Sequence, residues 1–296
     1  MKDIMLSSRA KVAVRLALDE DLADAVNARK ARWCDATSEA LVDPKTVATG
    51  EIYAKGTGCI VAGATVAKAV FKLVDPSIKV TILRPDGTRV KPLEPILVFR
   101  GKARAILAAE RTALNFMQRL SATATLTRQF VEATRRYRTL ILDTRKTTPG
   151  LRVFEKYAVT CGGGTNHRMG MYDRVLMKDN HRRLWKGGNP DELDQAVRAA
   201  RKKFPKLDIE VEVESVRECV SALKARPTWI MLDNMSIPEM KKCVKLCRGR
   251  TKTEASGGIT LDRARAVAAT GVTAISLGCL THSAGSIDLS LEWRAV

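Results

Sequence analysis

Five side chains that can carry positive charge lie close to two short apolar runs near the middle of the chain. The runs, 140–142 and 175–177, have the continuous apolar character of buried strands. The five side chains are Arg145, Lys146, His167, Arg168 and Lys178. Most Lys and Arg side chains are simply solvated, but cations that recur at the ends of apolar runs favour a binding role. Because such donors can bind a compact polyanion together, the pattern predicts an anion receptor.

A predicted strand with three carboxylates lies further along the chain. In 209–214, IEVEVE, apolar and acidic side chains alternate, so the three glutamates share one face. Asp233 ends a second apolar run, 230–232. Proteins hold Mg²⁺ with one or two carboxylates, while water and substrate phosphates complete its shell. We therefore predict a Mg²⁺ site at Glu212 and Asp233; the alternative is an exposed edge strand with purely solvated charges.

Glycine and hydroxyl residues suited to phosphate binding follow two later apolar runs. Ser256, Gly257 and Gly258 precede a helical pattern, and Gly278 and His282 follow the last run. Glycines let the backbone approach a phosphate, and a helix N-terminus supplies N–H donors, although a tight turn alone would also explain the glycines. With the predicted receptor and metal site, these residues favour transfer of a phosphorylated sugar to an anionic acceptor. The sequence carries no Gly-x-Ser-x-Gly elbow, Walker loop, HExxH or CxxC motif of another catalytic class.

The elements that must position these residues repeat one pattern: an apolar strand, a polar strand end and a helix. The predicted strands cover 140–142, 175–177, 209–214, 229–232, 253–255 and 274–277. Serial strand–helix units predict parallel strands that curve into a barrel, with ligands at their carboxyl ends. Because six units are visible, we predict an α/β fold with an incomplete β/α barrel of six to seven strands.

Residues before the barrel predict a smaller α+β sandwich domain, in which short β-like runs alternate with turn residues. The predicted helices of this part cover 9–30, 64–73 and 103–121, and a further helix runs to residue 137. The predicted domains are therefore the N-terminal sandwich, 1–122, and the barrel, 123–284. The alternating segment 285–296 is predicted to return to the first domain.

The composition excludes some classes of protein and leaves others open. A net charge of +19 suits anionic substrates or nucleic acid, but no basic tail, zinc-finger spacing or basic run interleaved with aromatic residues supports nucleic acid. We therefore predict neither a nucleic-acid partner nor a membrane partner. Seven cysteines without a CxxC motif favour reduced, buried thiols. The chain also shows no signal-peptide pattern and no apolar run long enough for a membrane span, which predicts a cytoplasmic protein.

Eight segments together resemble the quinolinate phosphoribosyltransferase family, over about residues 40 to 293. They are ERTALNFMQRLSATAT (110–125), DTRKTTPGL (143–151), KYAVTCGGGTNHRMGMYD (156–173), LMKDNH (176–181), EVEVE (210–214), IMLDNM (230–235), EASGGI (254–259) and SLGCLTHSA (276–284). The resemblance implies an N-terminal α/β sandwich and an incomplete β/α barrel. It also implies a homodimer or hexamer with the active site at a subunit interface.

The resemblance further implies a role for each matching residue. The residues that would hold quinolinate are Thr144, Arg145, Lys146, His167, Arg168 and Lys178, joined by Arg111 from the neighbouring subunit. Those that would bind Mg²⁺ and the ribose hydroxyls of phosphoribosyl pyrophosphate are Glu212 and Asp233. Those on the 5′-phosphate side would be Ser256, Gly257, Gly258, Gly278 and His282. The implied catalytic residues are Lys146, Lys178, Glu212 and Asp233, and the implied products are nicotinate mononucleotide, pyrophosphate and CO₂.

Two alternatives stay open: the molybdenum-transport-associated paralogue of the same fold and a basic nucleic-acid-binding protein. The intact DTRKT, GGGTNHR and LMKDNH motifs disfavour the first. One segment departs from the family pattern, because 22–34 is rich in Ala and Arg and lacks glycine where the family carries an acidic, glycine-containing stretch. The departure concerns the local N-terminal structure and the dimer contact rather than the reaction.

Overall fold

The computed structural model describes residues 4–23, 33–189 and 191–295, which form two compact units. Unit 1 contains the described residues up to Arg128, together with 147–163 and those from Leu280 onward. Unit 2 contains Gln129–Lys146 and Gly164–Cys279. Within the described residues, no helix combines the length and hydrophobicity that crossing a bilayer would require.

Helices and strands alternate along most of the described chain. The helices are α1 (Ser8–Leu22), α2 (Ala36–Leu41), α3 (Ala64–Val74), α4 (Ala103–Thr134), α5 (Arg152–Cys161), α6 (Asp179–Leu184), α7 (Leu193–Lys203), α8 (Val216–Leu223), α9 (Ile237–Cys247), α10 (Leu261–Ala268) and α11 (Cys279–His282). The strands are β1 (Val47–Ala54), β2 (Cys59–Ile60), β3 (Lys79–Ile82), β4 (Arg89–Val90), β5 (Pro95–Lys102), β6 (Leu140–Leu142), β7 (Val175–Met177), β8 (Ile209–Val213), β9 (Trp229–Asp233), β10 (Lys252–Ser256), β11 (Ala274–Ser276) and β12 (Leu289–Ala295).

Unit 1 is built on an antiparallel four-stranded sheet in the order β12-β1-β5-β3. The alternation that predicted a strand near the C-terminus forms β12, which pairs with β1 along its length. Gly50 lies where strands crowd, since a Cβ there would overlap the Phe99 ring and the Glu292 carbonyl. Phe99 stacks on Phe71 of α3 with ring centroids 5.3 Å apart, which anchors this helix on the sheet.

Unit 2 contains a parallel six-stranded sheet in the order β6-β11-β10-β9-β8-β7. All five residues of β8 are buried, as expected of a strand covered on both faces. β6 and β7 are the edges of this sheet, and no hydrogen-bonded ladder between them closes a barrel among the described residues. The predicted α/β class, the six parallel strands and the incomplete barrel are confirmed.

Three predicted helices differ from those in the structure. The helix predicted over 103–121 and the one predicted to follow it form a single helix, α4. Its 32 residues contain neither Gly nor Pro, so nothing in this stretch interrupts the helix. The helix predicted over 9–30 ends at Leu22, and residues 24–30 of the prediction lie outside the described residues. The domain boundary predicted between 122 and 123 falls inside α4 and stays a prediction.

Candidate active site

The loop after β6 and the segment 164–174 bring two arginines together in unit 2. The N–H of Thr165 donates to the carbonyl of Ile141 at 2.8 Å, which fastens the segment alongside β6. Buried Asp143 then accepts the N–H of His167 at 2.9 Å through its carboxylate. These backbone contacts explain why a loop rich in glycine and polar residues has a defined path, and they set the position of the cations that follow.

Like charges meet at the predicted anion receptor. Arg145 and Arg168 are both half-buried. Burial and the charge of Arg145 together lower the pKa of Arg168. Two guanidinium groups that repel each other in a half-buried place would gain most from an anion bound between them. Lys146 is exposed, and its N–H donates to the Thr144 hydroxyl at 3.0 Å, so Thr144 shapes the turn that carries Lys146.

Behind the receptor lies a set of buried charges that we call the inner cluster: His167, Arg174, Glu210 and Glu254. Nε2 of His167 lies 3.1 Å from Oε2 of Glu210 and 3.4 Å from Oε2 of Glu254. Nη1 of Arg174 lies 3.1 Å from the same oxygen of Glu210. Both carboxylates have no exposed surface. Burial of this depth tolerates charge only when it is compensated.

The pKa values within the inner cluster show how this compensation is arranged. Although burial raises the pKa of Glu210, His167 and Arg174 outweigh burial and lower the pKa below its ordinary value. Burial and the charge of Glu210 raise the pKa of Glu254. Because the raised pKa favours a neutral Glu254 carboxyl, the negative charge of Glu210 is the one that the Arg174 guanidinium balances.

The proton on His167 can be assigned from its hydrogen bonds. Burial lowers the pKa of His167, but the neighbouring carboxyl groups of Glu210 and Glu254 outweigh burial and raise it to about 9, which favours a second proton on the ring at neutral pH. That proton would have to occupy Nδ1, where the N–H of Arg168 already donates at 2.7 Å. Because Nδ1 accepts only while unprotonated, this hydrogen bond opposes the second proton, and on that contact we assign a neutral ring with its proton on Nε2.

The outer cluster, which consists of Lys178, Glu212 and Asp233, lies at the carboxyl ends of β7, β8 and β9. Nζ of Lys178 lies 2.6 Å from Oε2 of Glu212. The Lys178 side chain is 46% exposed, whereas that of Glu212 is 9% exposed. Asp233 is half-buried and accepts the side-chain N–H of Asn234 at 2.8 Å. Carboxylate oxygens at strand ends are the donors that Mg²⁺ prefers, so Glu212 and Asp233 suit such an ion chemically.

The residues predicted to bind phosphate include Ser256, Gly257, Gly258 and Gly278, which lie at or just after the ends of β10 and β11. Ser256 pairs in register with Asp233, because β10 lies beside β9. Gly257 has φ +97°, and a Cβ there would overlap the Asn234 amide, so only glycine fits this turn. Gly258 also has positive φ, at +55°, and open space around it. Gly278 follows β11, the next strand of the same sheet.

Two predicted site residues belong to unit 1. Arg111 is an exposed residue of α4 and lines a cavity of about 310 Å³ in this unit, together with Arg119 and Glu155. His282 ends α11, is exposed, and lies with Nδ1 2.6 Å from the Ser283 hydroxyl.

The sequence did not reveal Arg174 or Glu254 as members of the site. Arg174 lies on a loop among many other cations, and no spacing distinguishes it. Glu254 lies in the middle of β10 between two buried residues, Thr253 and Ala255, and an acidic residue at the centre of a short predicted strand is the signal that could have found it.

Comparison with known proteins identifies the family. The model "Quinolinate phosphoribosyl transferase, C-terminal domain" matches residues 123–292, and the corresponding N-terminal domain model matches residues 35–121. The chain belongs to the quinolinate phosphoribosyltransferase family. The N-terminal match begins just after the unusual 22–34 segment, and these matches do not favour the molybdenum-transport or nucleic-acid alternatives.

Named members of the quinolinate phosphoribosyltransferase family are similar over nearly the whole chain. A chloroplastic nicotinate-nucleotide pyrophosphorylase (carboxylating) of Oryza sativa subsp. japonica is 42% identical over 298 residues, which cover 95% of this chain and 77% of the relative. A probable nicotinate-nucleotide pyrophosphorylase (carboxylating) of Bacillus subtilis is 42% identical over 258 residues, or 87% of each chain. The solved nicotinate-nucleotide pyrophosphorylase of Francisella tularensis has a TM-score of 0.88 and 37% identity, and covers 97% of this chain and 96% of its own.

Proposed function

We propose that this enzyme transfers phosphoribosyl from phosphoribosyl pyrophosphate to quinolinate and releases CO₂, giving nicotinate mononucleotide and pyrophosphate for de novo NAD synthesis. The observation that carries the proposal is that models of both domains of the quinolinate phosphoribosyltransferase family match the chain. Arg145 and Arg168 support the same reaction, because both are half-buried and the charge of Arg145 lowers the pKa of Arg168, as expected of two cations that a dicarboxylate could bind together.

Each group of residues has a distinct task in this reaction. Arg145, Lys146 and Arg168 bind the two carboxylates and orient the pyridine nitrogen, which attacks the ribose carbon with its own lone pair. No protein nucleophile is therefore needed. The glycine loop at 256–258 binds the 5′-phosphate with backbone N–H groups, as such loops do. Fixing both reactants in this way supplies the orientation on which the rate depends.

The outer cluster stabilises the sugar as pyrophosphate leaves. Glu212 and Asp233 face the ribose hydroxyls, and Lys178 extends a mobile cation toward the reacting carboxylate while its ammonium is also paired with Glu212. We propose that Glu212 and Asp233 hold Mg²⁺. When bound, this ion would neutralise the charge of the departing pyrophosphate.

We propose a cytoplasmic location, because a reducing compartment keeps thiols such as buried Cys59 reduced. We also propose a homodimer or hexamer whose active site includes Arg111 of the partner subunit. Co-expression of Arg111→Ala and Arg145→Ala chains tests the shared site. Both variants alone are expected to be inactive, while the mixed dimer regains activity because one of its two sites keeps both arginines. If co-expression restores no activity, Arg111 does not act in the active site of the neighbouring subunit, and the proposed shared site is wrong.

The reaction is tested by incubation with phosphoribosyl pyrophosphate, Mg²⁺ and one of three acceptors: quinolinate, nicotinate or nicotinamide. Chromatographic detection of mononucleotide should show product only with quinolinate. A preference for nicotinate would mean that the second carboxylate is not recognised, and the proposed receptor would be wrong.

A further inference from the structure

Glu210 connects two residues that both hold Arg168. Its Oε2 lies 3.1 Å from Nε2 of His167 and 3.1 Å from Nη1 of Arg174. His167 accepts the backbone N–H of Arg168 at Nδ1, at 2.7 Å. The carbonyl of Arg174 accepts Nη1 of Arg168 at 3.4 Å. The four residues thus form a closed ring of contacts, in which one carboxylate restrains both the main chain and the guanidinium of Arg168.

Glu210 itself is too deep to contact a substrate. It has no exposed surface and is the second of the five residues of β8, two residues before Glu212 near the strand end. His167 has both ring nitrogens engaged, Nε2 by Glu210 and Nδ1 by the N–H of Arg168. A ring held in this way has no N–H directed at a substrate carboxylate. Its part in the site is therefore to position Arg168.

The inner cluster also contains donors of the kind that bind metals, since ligand atoms of His167, Glu210 and Glu254 lie within 4.8 Å of one another. Arg174, however, already brings a guanidinium to the same Glu210 oxygen. A divalent ion would have to displace this cation or be repelled by it. The charges therefore fit a closed structural network better than a metal centre.

We propose that Glu210 is a positioning residue for quinolinate: it fixes His167 and Arg174, and through them it holds Arg168 in the orientation that binds a carboxylate. The inference rests on the proposed function. The proposal gives two glutamates of β8 different roles: Glu210 controls the binding of quinolinate, and Glu212 faces the sugar. In metal sites, removal of a residue that orients a ligand typically costs about 10–100-fold in affinity or activity, and we expect an effect of the same order on the binding of quinolinate.

Glu210→Gln keeps the size of the side chain and removes its charge, so it tests the proposal by kinetics. The matched control is Glu214→Gln, an exposed glutamate of the same sequence motif. We expect the KM for quinolinate to rise on the order of tenfold or more, with the KM for phosphoribosyl pyrophosphate within about twofold, a factor worth less than about 0.5 kcal/mol. The control should leave both KM values unchanged.

An equal rise in the KM values for both substrates, or an unchanged KM for quinolinate, would overturn the proposal. Failure of the wild-type enzyme to use quinolinate at all would instead overturn the proposed function.

A second measurement on the wild-type protein keeps the test decisive if the Glu210→Gln chain does not fold. The protein has three histidines, so ¹⁵N-histidine NMR can identify His167 as the signal that survives in both His181→Gln and His282→Gln. We expect an unprotonated Nδ1 and a protonated Nε2 near neutral pH, with no change in the protonation pattern on adding the diamagnetic ion Mg²⁺. A ring with two protons, or one that a metal ion perturbs by direct ligation, would contradict the closed ring of contacts.

Discussion

The inner and outer clusters both pair carboxyl groups on the strands of one sheet with cations from the adjoining loops, and they differ in how their charges are satisfied. Glu210 and Glu212 point to the same face of β8, because they are two residues apart. Glu210 is fully buried between His167 and Arg174, whereas Glu212 pairs with a lysine whose side chain is 46% exposed. The inner charges are held by the chain itself, and the outer charges remain able to exchange partners with a substrate.

This difference indicates that distance from the strand end decides what a charged residue does in such a sheet. A buried charge loses its hydration and must be balanced by fixed neighbours, so it rigidifies the place where it lies. A charge at the strand end keeps part of its hydration and pairs weakly. Mutations should therefore separate stability from activity along a single strand.

The largest effect on stability is expected at the inner cluster. Glu210→Ala leaves Arg174 and His167 buried without their carboxylate, and we expect unfolding free energy to fall by about 3–5 kcal/mol. Urea denaturation of the variant and the wild type measures this loss. A loss below about 1 kcal/mol would mean that the inner charges are solvated, and the contrast between the clusters would disappear.

The largest effect on activity is expected at the receptor. Arg145→Ala should lower kcat/KM for quinolinate on the order of 10²–10³-fold, since removal of one partner from a buried charge pair costs about 3–5 kcal/mol and each ~1.4 kcal/mol is tenfold. Steady-state kinetics measures the loss, with Arg198→Ala as control because that arginine is 63% exposed on α7. Near-normal turnover of Arg145→Ala would refute the receptor.

The two inner glutamates should respond to pH in opposite ways. Glu254 has a raised pKa, so its contribution to stability is complete below about 4.5, its ordinary value, and is lost as pH rises through the folded-state pKa. Glu210 has a lowered pKa, so its contribution is complete above about 4.5 and is lost as pH falls through the folded-state pKa.

Glu254→Gln should therefore gain stability relative to the wild type as pH is raised from 5 to 8, whereas the deficit of Glu210→Gln should stay constant over that range and shrink below pH 4.5. Thermal denaturation of the three proteins across pH checks both trends. If the stabilities of both variants changed with pH in the same way as that of the wild type, the two carboxyl groups would not have pKa values shifted in opposite directions, and the prediction would be wrong.

The smallest effect on stability is expected at the outer cluster. Glu212→Gln weakens a partly exposed ion pair, and exposed pairs contribute about 0–1 kcal/mol, so unfolding free energy should change within that range while activity falls sharply. Urea denaturation with a parallel assay measures both. A stability loss as large as that of Glu210→Ala would place Glu212 among the structural charges.

The sequence predicted those parts of the site that depend on local pattern. The six parallel strands follow from apolar runs of a few residues, and the cations after β6 and β7 are visible because each lies within a few residues of the end of its run. The inner cluster depends on register instead, because Glu210 and Glu254 lie on β8 and β10, two strands that flank β9. No spacing in the sequence reveals that these carboxylates share one histidine. The single helix α4 was predicted as two helices, although the sequence contains no Gly or Pro there that would enforce a break.

A crystal structure with quinolinate, a non-reactive analogue of phosphoribosyl pyrophosphate and Mg²⁺ tests the division between the clusters most directly. We expect ligand oxygens and the metal to contact Lys178, Glu212 and Asp233, and a quinolinate carboxylate to lie between Arg145 and Arg168. Glu210 and Glu254 should keep their contacts with His167 unchanged. A metal ion or a substrate atom bound to Glu210 or Glu254 would contradict this account.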